Sequence, residues 1–265
     1  MVHLVRQGAV RPHRRTDSAK TYVLTGYRPD LCYSPSAALC QMHNETINIW
    51  SHLVGSFFVG SYLLRFRVPM CALQSHVLDV HVASALVLGV CSTLFHIGES
   101  FAYEHYQALL KADTASVFVA CVANANVIVA FELHPVDPQT ALVLLATLVL
   151  LASIGACTFL FGTVSAHPVT MLILYVLPFV PIGIAWGIAF DTARNAFLAS
   201  WVALLAATTI IWLTKFPEVC APPGSCDLVG NSHNLMHVLT LVTWAWLHDE
   251  YGFVVGADFN GTLEC

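Results

Sequence analysis

Apolar runs recur along the chain at about the 20-residue length that a helix needs to cross a bilayer, each closed by a short polar or Pro/Gly-containing break. Seven segments have this character: residues 46–66, 74–97, 110–132, 139–162, 168–190, 195–216 and 232–255. The breaks fall at Arg65–Pro69, Gly98–Gln107, His134–Pro138, Ala166–Pro168, Asp191–Asn195 and Pro217–Gly230. The pattern predicts an all-α integral membrane protein, a bundle of seven transmembrane helices. It forms one membrane domain over residues 46–255, between an N-terminal tail at 1–45 and a C-terminal tail at 256–265.

Composition agrees and narrows the classes. Hydrophobic residues make up 57% of the chain and charged residues only 10%, too few charges to cover a soluble core of this size. A net charge of −5 gives no footprint for nucleic acid. The nine cysteines lie scattered in apolar stretches, as small buried hydrophobes do, not at the spacings of a disulfide framework. Residues 1–44 hold no apolar core of a secretory signal. Their arginines, Arg6, Arg11, Arg14 and Arg15, could mark an organellar transit peptide, but the positive-inside rule accounts for them better. With the N-terminus in the cytoplasm, eight of the eleven basic residues fall inside: Arg6, Arg11, Arg14, Arg15, Lys20, Arg28, Lys111 and Lys215. Arg65, Arg67 and Arg194 are the three outside. Seven spans then leave the C-terminal tail extracytoplasmic. Trp50, Trp244, Trp246 and Tyr251 are candidates for interface anchors, or for packed aromatics.

Polar side chains inside such spans are costly and mark sites. His233 and His237 stand four apart at the start of the seventh span, on one helical face, so both can reach one ion; the alternative is a merely polar interface pair. His96 closes the second span and Asp113 opens the third. Alternating span direction brings His96, Asp113, His233 and His237 to the same membrane face. Ser92 lies one turn deeper than His96. Three imidazoles with an open fourth position are the ligand set of a catalytic zinc, which lowers the pKa of its bound water to ~7. Asp113 can take or orient that water's proton, or else pair with Lys111. Ser92 can steady a developing oxyanion. Cys220, Cys226, His233 and His237 form a rival, finger-like set, but only six residues separate Cys226 from His233, against about twelve in a zinc finger. His248 lies too far along the helix to join His237. Glu45, Asn48 and His52 form a polar stripe suited to interhelical hydrogen bonds. Asn124 repeats the face of Asp113, and Pro178 and Pro181 kink the fifth span.

Three blocks resemble the progestin and adipoQ receptor (PAQR) family, which includes adiponectin receptors, membrane progestin receptors and hemolysin III-like proteins. They are His43-Asn-Glu-Thr-Ile-Asn-Ile-Trp-Ser-His52; Ser92-Thr-Leu-Phe-His96 followed by Asp113; and Pro223-Gly224 through Asp227, Gly230-Asn231-Ser232-His233 and His237, preceded by Lys215-Phe-Pro-Glu218. The resemblance runs from Gly26 onward. It implies seven helices with the N-terminus inside, and Zn2+ held by His96, His233 and His237 near the cytoplasmic face. It assigns the family's Asp to Asp113 and its Ser to Ser92. It also implies a receptor role, or ceramidase-like hydrolysis of an amide-linked lipid, with a ceramide- or steroid-like membrane lipid as partner. The chain departs from the family at Ile97-Gly98-Glu99-Ser100, where a further histidine is usual, and at Asn234, where Gln is common. The Asp-Trp-Cys-Glu opening of alkaline ceramidases is absent. Three functions stay open: a zinc-dependent lipid amidase, a receptor with a structural zinc and a sequon at Asn260-Gly261-Thr262 on its outward tail, and a membrane scaffold. Plasma membrane, Golgi and endoplasmic reticulum all suit the sequence.

Overall fold

The structure, a computed structural model, describes residues 3–11, 22–65, 72–162, 179–180, 183 and 192–254. Most of the expected fifth span, with Pro178 and Pro181, lies outside the described residues, as do Arg14, Arg15, Lys20, Arg67 and the C-terminal tail with its sequon. Seven α-helices are described: α1 (Pro35–Cys40), α2 (Thr46–Arg65), α3 (Ala72–Gly98), α4 (Tyr103–Ile128), α5 (Pro138–Phe161), α6 (Thr192–Thr214) and α7 (Ser232–Asp249). Helix α4 runs on through a π turn at Val129–Leu133, and α7 through another at Glu250–Val254.

Four of these are long and apolar enough to cross a membrane: Ala72–Gly98, Tyr103–Leu133, Pro138–Phe161 and Asn195–Thr214. On α5, Leu142, Val143, Val149, Leu150 and Ile154 are all exposed. That continuous apolar surface belongs against hydrocarbon. The start of α4 corrects the expected break. The chain turns back within Glu99–Ala102, and the helix already begins at Tyr103. Tyr103–Gln107 is polar enough to look like a loop, yet it forms the first turns of a helix whose apolar part comes later.

The chain divides into two compact units. The first comprises Met1–Phe57, Gly89–Leu110 and Val202–Thr243; the second comprises Phe58–Leu88, Lys111–Trp201 and Trp244–Cys265.

In the first unit, residues 22–31 form a strap tied by long-range polar contacts. Asp227 accepts from the Leu24 N–H at 3.1 Å and from the Thr25 hydroxyl at 2.6 Å. Tyr27 is fully buried and pairs with Val5 through main-chain hydrogen bonds. Gly26 has φ +81°, and a Cβ there would run into Leu228, so the turn that feeds Asn44 needs glycine. Arg28, 1% exposed, donates from Nη2 to the His96 carbonyl at 2.7 Å and from Nη1 to the Ile97 carbonyl at 3.0 Å. A cation on the last carbonyls satisfies groups that the helix cannot pair itself and opposes the negative end of its dipole.

The second unit packs large side chains against small ones. The Phe118 ring fills the place of a side chain at Gly155 and lies 5.9 Å from Phe159, the close helix approach that small residues permit in membranes. The two π turns meet where the Tyr251 hydroxyl donates to Glu132 Oε1 at 2.8 Å. Asp137 caps α5 by accepting from the Thr140 N–H at 3.1 Å, with Pro138 in the first turn. Those hydrogen bonds from Thr140 hold the Asp137 carboxyl below its ordinary range. Trp244 and Tyr251 are packed aromatics here, 4% and 0% exposed.

Candidate metal centre

Both helix ends that carry the three histidines are fixed by buried polar groups. At the end of α3, Arg28 grips the main-chain carbonyl of His96 itself. At the start of α7, Asn231 Oδ1 accepts from the Asn234 N–H at 3.0 Å, as an N-cap does. Glu218 takes the Ser232 N–H at 2.6 Å and the Ser232 hydroxyl. These contacts set the axis and rotation of each helix end, and so the direction of His96, His233 and His237.

The ring nitrogens converge. His96 Nε2 lies 3.1 Å from His237 Nε2, which lies 3.2 Å from His233 Nε2. One ligand atom from each residue falls within 4.8 Å of the others. Zinc bound tetrahedrally by nitrogens at 2.0–2.1 Å would set them about 3.3 Å apart. His96 and His237 are buried and His233 is half-buried.

The protonation pattern fits as well. Glu45 Oε2 lies 2.6 Å from His96 Nδ1, with both side chains 1% exposed. A carboxylate there accepts from Nδ1–H, which leaves the lone pair of His96 on Nε2, the atom that faces the cluster. Glu45 is itself held from three sides: Asn48 Nδ2 donates to Oε2 at 2.9 Å, Asn44 Nδ2 donates to Oε1 at 3.1 Å, and its N–H donates to His43 Nδ1 at 3.1 Å. Asn48 Oδ1 accepts from Asn234 Nδ2 at 2.7 Å. A continuous hydrogen-bonded path thus joins His96 on α3, through α2, to the residue beside His233 on α7. His43 completes the frame by donating from Nε2 to the Ala38 carbonyl at 2.9 Å. Burial, and then the Arg28 charge, push its pKa down. The donor set therefore suits a divalent metal that favours imidazole nitrogen.

The other sequence candidates divide. Ser92 is buried in the same unit, one turn before His96. Asp113 lies in the second unit, half-buried on α4, with its main-chain carbonyl accepting from the Ser116 hydroxyl. Cys220 is exposed, and neither it nor Cys226 belongs to the metal-competent group found among the described residues. His248 pairs with His81 in the second unit, Nδ1 to Nδ1 at 3.3 Å, while His81 Nε2 bonds Asn124 Oδ1 at 2.7 Å. The two rings lie 11° from parallel with centroids 5.6 Å apart. Each Nδ1 therefore points along the line between the rings, a shape for one shared proton and not for two lone pairs meeting at a metal.

The family described as Haemolysin-III related matches residues 40–248, most of the chain and all three histidines. The chain belongs to this family. It is therefore an integral, multi-pass membrane protein. Among curated proteins it is similar to human progestin and adipoQ receptor family member 3, 25% identical over 88% of this chain and 81% of that protein. Human membrane progestin receptor beta is 26% identical over 92% of this chain and 73% of that one. The ADIPOR-like receptor IZH1 of Eremothecium gossypii is 23% identical over 77% and 70%. The three blocks that resemble the PAQR family all lie within the matched residues. Reading the sequence alone missed the roles of Arg28, Glu218 and Asp227. The first block did contain a signal for Glu45, a carboxylate one turn before Asn48 at the mouth of a span.

Proposed function

We propose that this chain is a seven-pass PAQR-type protein with a cytoplasmic N-terminus, in which His96, His233 and His237 hold zinc and an amide-linked, ceramide-like lipid from the bilayer is hydrolysed. The observation that carries this reading is the convergence of three imidazoles, one of them locked by Glu45 with its lone pair inward. Three protein donors leave a fourth position for a substrate or water oxygen, the mark of a catalytic rather than a structural zinc. In this reading the fifth span is the apolar run at 168–190. When bound, zinc supplies Lewis acidity toward a carbonyl and lowers the pKa of water toward ~7.

The chain's own residues do the rest. Glu45 keeps His96 in one tautomer, and Arg28 holds the helix end that carries it. By the family pattern, Asp113 serves as proton acceptor and Ser92 as hydrogen-bond donor to the developing oxyanion. A site reached from the bilayer would admit a substrate that never leaves the membrane.

The test is purified protein in lipid nanodiscs, assayed for metal content and for fatty-acid release from ceramide. One zinc per chain, chelator-sensitive turnover, and loss of turnover in both Asp113→Ala and His237→Ala support the reading. Turnover untouched by both substitutions overturns it.

A receptor with a structural zinc is the second reading, favoured by the names of the relatives, which are receptors. It expects saturable binding of a steroid- or ceramide-like ligand that survives Asp113→Ala.

A further inference from the structure

His52 differs from its polar neighbours on α2. It follows Glu45 and Asn48 on the inward stripe of α2 and is 4% exposed. Glu45 and Asn48 make the interhelical bonds their spacing predicts. His52 does not. Among the described residues, neither Nδ1 nor Nε2 of His52 has a hydrogen-bond partner. Its ring lies instead against that of His237, centroids 4.2 Å apart at 48°. It therefore touches a cluster histidine while standing outside the group whose ligand atoms converge.

A second polar group of the first unit, on α3, shares the condition. Thr93 Oγ1, in a residue 5% exposed, also has no hydrogen-bond partner among the described residues. Gly89, Thr93 and His96 follow one another along one stripe of α3 at helical spacing. Gly89 lets α3 approach α2 so closely that a Cβ there would strike Ser56, with the His52 carbonyl beside it. Thr93 thus lies one turn from this contact with α2, on the way to His96. One residue on α2 and one on α3 thus carry buried polar atoms without a hydrogen-bond partner among the described residues, and most buried polar groups have one.

We infer that His52 and Thr93 are the polar contacts for a lipid's amide group, presented to the metal centre from the α2–α3 side. The inference rests on the lipid-amide reading above and names the residues that would select for it. A neutral imidazole offers one donor and one acceptor, and a threonine hydroxyl offers both. A secondary amide answers with a carbonyl and an N–H. An ester supplies only acceptors and leaves one buried ring nitrogen unanswered.

The experiment compares binding of a fluorescent N-acyl sphingoid lipid and its ester isostere, in which an oxygen replaces the amide N–H, to the full chain in nanodiscs, for wild type, His52→Phe and Thr93→Val. Phe keeps a ring against His237 and removes both nitrogens. The expected result is a preference for the amide of at least about tenfold in wild type, collapsing toward unity in His52→Phe while metal content stays at the wild-type level. Thr93→Val narrows the preference without affecting the ring contact. Equal binding of amide and ester by wild type overturns the inference, as does an amide preference that both variants retain. Loss of metal from His52→Phe overturns it too, by making the residue part of the metal's own support. A wild-type chain that binds no metal yet discriminates amide from ester would instead sink the hydrolase reading and leave this assignment standing.

Discussion

The carboxylate of Glu45 and the imidazole of His96 meet at 2.6 Å between Oε2 and Nδ1, both buried and 51 residues apart in sequence. An imidazole held this way cannot rotate or switch tautomer without breaking a charge-assisted bond. Replacing Glu45 by Gln keeps the shape and removes the charge. Metal affinity, measured by chelator competition, should fall about 10–100-fold, while His96→Ala should abolish stoichiometric binding. Cobalt substitution reads the same effect optically. A tetrahedral absorption band should persist in Glu45→Gln at saturating metal and vanish in His96→Ala.

Stability should depend on pH through His43. Its neutral ring accepts from the Glu45 N–H and donates to Ala38, and burial with the Arg28 charge holds its pKa below the ordinary value. Below about pH 6.5 the unfolded chain binds a proton that the folded one refuses, so stability falls as pH drops. The loss continues until pH reaches the lowered native pKa and then levels off. Unfolding midpoints measured from pH 7.5 down to 5 in detergent should decline for wild type. His43→Gln should flatten that slope.

Asp227 joins the loop before α7 to residues 24 and 25 through two hydrogen bonds. Asp227→Ala removes the acceptor of the Leu24 N–H and of the Thr25 hydroxyl, both on exposed residues, and should cost about 1 kcal/mol for each bond lost. Limited proteolysis should then cut the 22–31 strap faster than in wild type. Unchanged cleavage would mean that the strap holds by its other contacts, those of Arg28 among them.

Gly155 gives a test in the second unit. The Phe118 ring occupies the position of any β-carbon there. Gly155→Ala should destabilise by ~1–3 kcal/mol through overpacking, readable as a lowered thermal midpoint, and Phe118→Leu in the same chain should restore part of it.

The lipid-facing runs were the plainest part of the sequence, because hydrocarbon demands long apolar segments wherever a helix crosses. The three histidines were legible for a related reason: polar groups stand out against an apolar background. Glu45 was visible as polar but not as the partner of His96, since a stripe on one helix does not say which neighbour it faces. His52 was grouped with that stripe, yet its fate differs from that of Glu45 and Asn48, and only packing could separate them. The early start of α4 at Tyr103 escaped because a polar first turn reads as a loop. Arg28 escaped because its partners are main-chain carbonyls, which carry no sequence signature, and Asp227 because its partners, the Leu24 N–H and the Thr25 hydroxyl, lie 203 and 202 residues away. The His81–His248 pair needed the meeting of α3 with α7, which spacing on either helix cannot reveal.

The 203-residue separation between Asp227 and Leu24 also sets an order in time. At synthesis rates of 5–20 residues per second, the strap waits about 10–40 s for its acceptor to emerge. Over that interval Arg28 can already find the end of α3, but the loop that orients His233 does not yet exist. A chain halted before α7 therefore displays an unfinished N-terminal segment and only one of the three histidines. Completion of translation, convergence of the three histidines and fastening of residues 24 and 25 to Asp227 thus become a single event.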